Sequence, residues 1–149
     1  MKKEFPRPAM PVGINLIHLT SYSTSIQTME QNQIDFRVEF HIDPSKIEEF
    51  KKLIQEMSRM VEANEPDTLI YQFYLNKDQT QCVVYETYVN SDAAIAHNNS
   101  VASRTILPRI LSLAKINRFE VYGNPNEELQ KLLASFGVES FNLFTGFSR

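Results

Sequence analysis

The chain has 149 residues, of which 42% are hydrophobic and 22% are charged, so it is long and apolar enough to bury the core of one domain. A net charge of −3 without a run of like charges argues against nucleic acid or an anionic membrane as a partner. No stretch is long and apolar enough to span a bilayer, and the single cysteine cannot form an internal disulfide, so we expect a cytoplasmic protein.

Residues 1–32 are rich in Pro, Ser, Thr and Asn and show no hydrophobic period, which predicts an N-terminal arm, flexible or docked on a partner subunit. Two lysines precede a mildly apolar stretch in this arm, but Pro11 interrupts it and no small-residue cleavage site follows, which argues against a secretory signal. We expect the folded domain over residues 33–123. A C-terminal helix and tail over residues 124–149 would pack on the domain or on a partner subunit.

The first strand and the first helix are marked by two different hydrophobic periods. Residues 34–42 alternate between apolar and polar side chains, which is typical of a strand with one buried face, and the polar face carries Arg37 and His41. Apolar residues then recur every three or four positions. This pattern predicts an amphipathic helix that Asp43 caps and that ends before Pro66.

We expect a second and a third strand at residues 68–75 and 80–88, because both segments are rich in aromatic and β-branched side chains. A short polar loop separates them. The next helix is short. We expect Ser91 to cap it and His97 to lie at its end.

The remaining elements are a broken helix, a fourth strand and a C-terminal helix. Residues 101–114 have a helical pattern that should kink or restart at Pro108, and residues 116–122 predict the fourth strand. A further helix ends at Gly137, and the apolar tail behind it would dock, as a short edge strand for example.

The element order predicts an α+β fold. Strand, helix, strand, strand, helix, strand is the order of the split β-α-β unit of ferredoxin-like folds, which has an antiparallel sheet with helices on one face. The other face also needs cover, and a second subunit is its usual source.

Residues 64–97 carry a more specific order of motifs. Pro66 precedes the second strand, Glu86 stands before an aromatic at the end of the third, and His97 follows one short helix later. This order resembles the antibiotic biosynthesis monooxygenase family, in particular its quinol-monooxygenase branch, and the similarity extends over residues 34–122. The resemblance implies a homodimer that forms a dimeric α+β barrel. It also implies a cofactor-independent monooxygenase that oxidises a small aromatic quinol or polyphenol with O2.

The resemblance makes His97 and Glu86 the candidate catalytic residues. His97 matches the family histidine and could take a proton from a substrate hydroxyl, while Glu86 could orient His97 or accept a hydroxyl. Structural roles remain open: His97 could bond a backbone carbonyl at the helix end, and Glu86 could form a salt bridge with Arg37 or Arg118.

Substrate contacts are expected from aromatic and polar side chains on the strands. Tyr71, Tyr74 and Tyr88 could stack on a flat aromatic ligand, although strand aromatics are most often plain core. Arg37 and His41 would line a cavity if a dimer closes over the polar face of the first strand, and otherwise they belong to an exposed sheet face.

No metal or cofactor is expected. The three histidines lie far apart in the sequence, and four glycines without a Gly-rich phosphate loop argue against flavin or dinucleotide binding. Related haem-degrading enzymes use a tryptophan near the position of His97, and this chain has none, which argues against haem degradation. Two alternatives remain: a non-catalytic small-molecule-binding or stress-associated dimer, and an oxygen-independent isomerase or decarboxylase on the same barrel.

Overall fold

The structure is a computed structural model that describes residues 32–147. The prediction of an N-terminal arm over residues 1–32 therefore lies, except for its last residue, outside the described residues. The helices and strands are β1 (Ile34–Ile42), α1 (Ile47–Asn64), β2 (Thr68–Leu75), β3 (Gln81–Tyr88), α2 (Ser91–Asn98), α3 (Val101–Thr105), α4 (Leu107–Leu111), β4 (Ala114–Tyr122), α5 (Glu127–Leu133) and β5 (Glu139–Phe141).

The strands form one sheet in the order β2-β3-β1-β4-β5. The pairs β1–β3, β1–β4 and β2–β3 are antiparallel, and the short β5 runs parallel to β4. This is the predicted α+β, ferredoxin-like arrangement with the first strand in the centre of the sheet. The prediction that the tail adds a short edge strand is also confirmed, by β5.

The helices cover one face of the sheet, which we call the inner face. The alternation of β1 puts Phe36 and Phe40 on this face, and both are buried. The helix α1 lies against it, since the rings of Phe40 and Phe50 are 6.2 Å apart, edge to face. Cys82 faces the same core, and burial raises the pKa of its thiol to about 11, which disfavours the reactive thiolate form.

The opposite face of the sheet, which we call the outer face, keeps more of its side chains exposed. Arg37 lies there opposite Tyr85 on β3 and Glu120 on β4. Tyr74 and Tyr85 also lie on this face, and their rings pack edge to face at 5.9 Å. Polar and aromatic residues thus share the face that the helices leave open.

The segment between β3 and β4 differs from its prediction in one cap. Asn90, not Ser91, caps α2, because its side chain accepts a hydrogen bond from the backbone N–H of Ala93 at 2.9 Å. The Ser91 hydroxyl instead accepts a hydrogen bond from the backbone N–H of Asn126 and ties α2 to the start of α5. The expected break at Pro108 is confirmed, since α3 ends and α4 restarts just before it.

Candidate active site

His97 lies near the end of α2 with its ring buried between the helices and the inner face of the sheet. Its side chain is 6% exposed. The Nδ1 atom lies 2.6 Å from a carboxylate oxygen of Glu65, and the Nε2 atom lies 3.5 Å from the hydroxyl oxygen of Ser103. The backbone-carbonyl alternative for His97 is therefore not what the structure shows, because both ring nitrogens face side chains.

Glu65 reaches His97 from the end of α1. It is the C-cap residue of that helix, where its backbone N–H donates to the carbonyl oxygen of Val61, and Pro66 prevents the helix from continuing. The hydroxyl of Thr68 donates to the same carboxylate at 3.3 Å, so the side chain is held from two sides. No motif in the sequence predicts this contact between Glu65 and His97.

Two tyrosines on the inner face flank the His97 ring. The ring centroids of Tyr71 and Tyr88 lie 5.3 Å and 5.4 Å from that of His97, both in tilted arrangements. Both are predicted substrate-contact residues, and the structure brings both to the candidate catalytic histidine.

Glu86 lies on the same inner face, where the sheet register pairs it with Phe36 on β1 and Tyr71 on β2. It is buried, and its carboxylate accepts a short hydrogen bond from the hydroxyl of Tyr88. Its interpretation as a salt-bridge partner of Arg37 or Arg118 is wrong.

The arginine partner is Glu120 instead. Arg37 and Arg118 lie on the outer face, at 3.1 Å and 2.6 Å from the carboxylate of Glu120. Side chains alternate along a strand, so an odd-numbered β1 residue such as Arg37 cannot face the inner carboxylate of Glu86.

The predicted substrate-contact residues consequently fall into two groups. Tyr71 and Tyr88 lie beside His97, whereas Arg37, His41 and Tyr74 lie on the outer face of the sheet. The structure does not bring the outer group to the candidate catalytic residues.

The charges around the imidazole move its pKa in a definite direction. Burial lowers the pKa of His97, but the hydrogen bond with Glu65 and the charges of Glu86 and Glu65 outweigh burial and raise this pKa above its ordinary value. Burial raises the pKa of Glu65, but the hydrogen bond and charge of His97 bring it below its ordinary value. The pair therefore favours imidazolium next to carboxylate.

Glu86, Tyr71 and Tyr88 have raised pKa values, which is opposite to the shift at Glu65. Burial raises the pKa of the Glu86 carboxyl, against the charge of His97 and the hydrogen bond from Tyr88. Burial, together with the charge of Glu86, also raises the pKa values of Tyr71 and Tyr88. At a given pH, the neutral form of each of these three groups is therefore more populated than usual.

Two spaces meet at His97. A groove of about 510 Å³ opens between the end of α1, the start of β2 and the helices α2 and α3, and Glu65 and His97 both line it. An inner cavity of about 50 Å³ lies between the sheet and the helices, lined by aromatic side chains together with Glu86, His97 and Ser103. Within residues 32–147, no group of three or more His, Cys, Asp or Glu side chains is placed to hold a metal ion.

Comparison with known proteins agrees with this architecture. The sequence model of the family described as antibiotic biosynthesis monooxygenase matches residues 36–109. This match covers just under half of the chain and shows that residues 36–109 resemble a domain of this family. The matched antibiotic biosynthesis monooxygenase domain contains Glu65, Glu86, His97 and Ser103, so all the polar groups of the site fall inside it. A comparison with curated proteins finds no match.

Solved structures resemble the fold of this chain. MupZ from Pseudomonas fluorescens is 28% identical with a TM-score of 0.71, over 79% of this chain and 95% of that chain. A Caulobacter crescentus protein described as a candidate antibiotic biosynthesis monooxygenase is 22% identical with a TM-score of 0.56, over 66% of this chain and 92% of that one. Rv0793 from Mycobacterium tuberculosis is 18% identical with a TM-score of 0.54, over 64% and 97% of the two chains. The latter two support the fold alone.

Proposed function

We propose that this domain is a cofactor-independent monooxygenase that oxidises a small aromatic quinol or polyphenol with O2. The observation that carries the proposal is a buried histidine that bonds a carboxylate through one nitrogen and turns the other towards an aromatic-lined cavity. The match of residues 36–109 to the antibiotic biosynthesis monooxygenase family supports the reaction class. The choice of a quinol as substrate rests on the order of Glu86 and His97 in the sequence.

The substrate would meet His97 from the inner cavity. Its hydroxyl would take the place next to Nε2 that the hydroxyl of Ser103 now approaches, and Tyr71 would offer a ring face to the aromatic part of the substrate. A cavity of about 50 Å³ holds only a few waters. Substrate binding must therefore move side chains, and Phe136 is the natural point of entry because it lines the cavity and is 40% exposed.

The chemistry begins with a proton transfer. Nε2 of His97 takes the hydroxyl proton, and the resulting electron-rich anion reacts at a ring carbon with O2 to form a hydroperoxide. The O–O bond then breaks, one oxygen atom stays on carbon as a carbonyl, and the other leaves as water with the former hydroxyl proton and the ring C–H proton. The protein supplies the base, orientation and a site shielded from solvent.

Glu86 and Tyr88 would fix the other end of the substrate. Burial keeps the Glu86 carboxyl in its neutral form more than is usual, so it can donate a hydrogen bond to a substrate oxygen. Tyr88 holds this carboxyl in place through its hydroxyl. The site therefore suits a substrate with two oxygen atoms, one next to His97 and the other next to Glu86.

Oxygen uptake by flavin-free, metal-stripped protein against a panel of dihydroxy-aromatics tests the proposal. We expect uptake above autoxidation for the wild type. His97→Ala should lower turnover by about 10²-fold or more, because general base catalysis typically contributes that much.

The matched control is His41→Ala, a histidine substitution on the outer face of the sheet, which should keep wild-type turnover. Wild-type turnover in His97→Ala would remove His97 from the reaction. Absence of uptake by the wild type on every substrate would overturn the monooxygenase proposal and favour a binding role.

One observation favours a second candidate, an oxygen-independent isomerase or decarboxylase. The inner cavity is lined by a base, His97, and by a carboxylic acid with a raised pKa, Glu86, and such a pair can move protons without any oxidant. Product formation under strict anaerobic conditions would identify this chemistry, whereas a strict requirement for O2 would exclude it.

We also propose that the protein is a homodimer joined through the outer faces of two sheets, as in a dimeric α+β barrel. The exposed tyrosines on this face support the proposal, because tyrosines are enriched in protein interfaces. Tyr74 and Tyr85 are 52% and 46% exposed and contact each other on neighbouring strands.

A further inference from the structure

The two ring nitrogens of His97 face different spaces. Glu65, next to Nδ1, lines the open groove but not the inner cavity, whereas Ser103, next to Nε2, lines the inner cavity but not the groove. His97 lines both. The imidazole ring therefore separates the two spaces. The carboxylate of Glu65 lies on its groove side, and the hydroxyl of Ser103 lies on its cavity side.

We propose that Glu65 is a positioning residue that keeps the His97 proton on Nδ1 and so presents the lone pair of Nε2 to the inner cavity. An ionised carboxylate can only accept hydrogen bonds, so the atom that faces it at 2.6 Å must carry the hydrogen. The Ser103 hydroxyl can donate to Nε2, and its longer distance of 3.5 Å leaves that nitrogen open to a substrate hydroxyl.

The carboxylate is itself fixed, which a positioning role requires. Glu65 ends α1 and accepts a hydrogen bond from Thr68, so its oxygen has little freedom to leave the ring nitrogen. Its side chain is 12% exposed, at the floor of the groove. The permanent negative charge is thus kept one ring width away from the anion that would form in the cavity, and it stabilises the imidazolium from behind.

The titratable groups that face His97 come from three elements. Glu65 lies at the end of α1, Tyr71 is on β2, and Glu86 and Tyr88 are on β3. Among these, the structure shows a hydrogen bond to a ring nitrogen only for Glu65, whereas Glu86, in its ionised form, affects the pKa of His97 through its charge alone. The loss of Glu65 should therefore change the tautomer of His97, and the loss of Glu86 should not.

Nitrogen-15 NMR of the His97 ring in the full chain tests the proposal without any substrate. Above its pKa, wild-type His97 should show the Nδ1–H tautomer. Glu65→Gln should lower the His97 pKa because the charge is gone, and Glu65→Ala should give a mixture of tautomers. Asp67→Asn, which removes another carboxylate from the same groove, should leave both the tautomer and the pKa unchanged. Glu65→Asp should recover part of the wild-type behaviour.

The kinetic consequence rests on the proposed monooxygenase function. If His97 is the base, activity rises with pH as it loses its proton, so Glu65→Gln should move the acid limb of kcat to lower pH. Glu65→Ala should reduce kcat by about 10²-fold with little change in KM, since Glu65 does not touch substrate.

A wild-type spectrum with the proton on Nε2 would overturn the positioning role, and so would an unchanged tautomer and pKa in Glu65→Gln and Glu65→Ala. The wild-type spectrum decides even if a variant fails to fold. Lack of oxygenase activity with the expected NMR result would reject the proposed function and leave the role of Glu65 intact.

Discussion

Two carboxylates in different surroundings act on His97, and their pKa values move in opposite directions. Glu65 has a lowered pKa because the histidine bonds it directly, and Glu86 has a raised pKa because it is buried. Such a separation is the usual way in which one site holds both a base and an acid. At the scale of single residues, the site is thus suited to moving protons.

Glu86→Gln should make the stability of the protein less dependent on pH. The folded-state pKa of Glu86 is raised by burial, so the stability that its neutral form contributes is present below the unfolded-state value, near 4.5, and is lost as the pH rises through the folded-state value. We expect the difference in unfolding free energy between Glu86→Gln and wild type to move in favour of the variant over this range. Urea denaturation at a series of pH values measures it, and a difference that is constant with pH would contradict the assignment.

Glu86 and His97 could be named as candidates from an order of motifs that resembles a known family, and their catalytic roles stay predictions. Glu65 could not, because its contact with His97 is set by the length of α1 and by the turn at Pro66, and 32 residues separate the two side chains. Which carboxylate meets Arg37 depends on the strand register, and the sequence does not reveal the register.

At the scale of elements, hydrophobic period and turn chemistry determined most of the architecture. The strands and α1 lie close to their predicted ranges, and the break at Pro108 follows from its missing N–H. The cap of α2 was assigned one residue too late because Asn90 and Ser91 are both good cap residues, and only the contact between Ser91 and Asn126 decides between them.

The turn after β4 offers a test of backbone strain. Gly123 has a φ of +110°, and a Cβ at this position would lie 2.6 Å from the backbone oxygen of Gln33. Gly123→Ala should therefore reduce the unfolding free energy by about 2 kcal/mol or more. Gly137→Ala is the matched control, since its φ is +64° and open space surrounds it, and it should cost about 1 kcal/mol. Equal losses in urea denaturation would show that the contact with Gln33 carries no cost.

At the scale of the whole molecule, the sheet separates two kinds of surface. Its inner face carries the site, and its outer face carries exposed tyrosines around the buried carboxylate of Glu120. No helix within residues 32–147 is long and apolar enough to cross a membrane. The separation follows from strand alternation, which the sequence shows, whereas the proposed cover of the outer face by a second subunit does not follow from any local pattern.

Tyr85→Asp should weaken the proposed homodimer. It replaces the exposed ring that packs on Tyr74 with a short charged side chain, so the proposed interface loses aromatic area and would have to desolvate a carboxylate. Sedimentation velocity should show the wild type as a dimer and the variant shifted towards monomer. Leu111→Asp, a comparable change on α4, should leave the dimer intact. A monomeric wild type would refute the dimer, and a dimeric Tyr85→Asp would move the interface elsewhere.

The two edge strands of the sheet, β5 and β2, affect how readily this protein aggregates. At one edge of the sheet stands β5, which is three residues long and offers an incoming strand few free backbone groups. At the other edge stands β2, whose pairing with β3 is irregular between Thr68 and Ile70. Such a bulge bends an edge away from a regular partner. The short β5 and the bulge at the start of β2 thus both discourage the strand-by-strand stacking that leads to fibres.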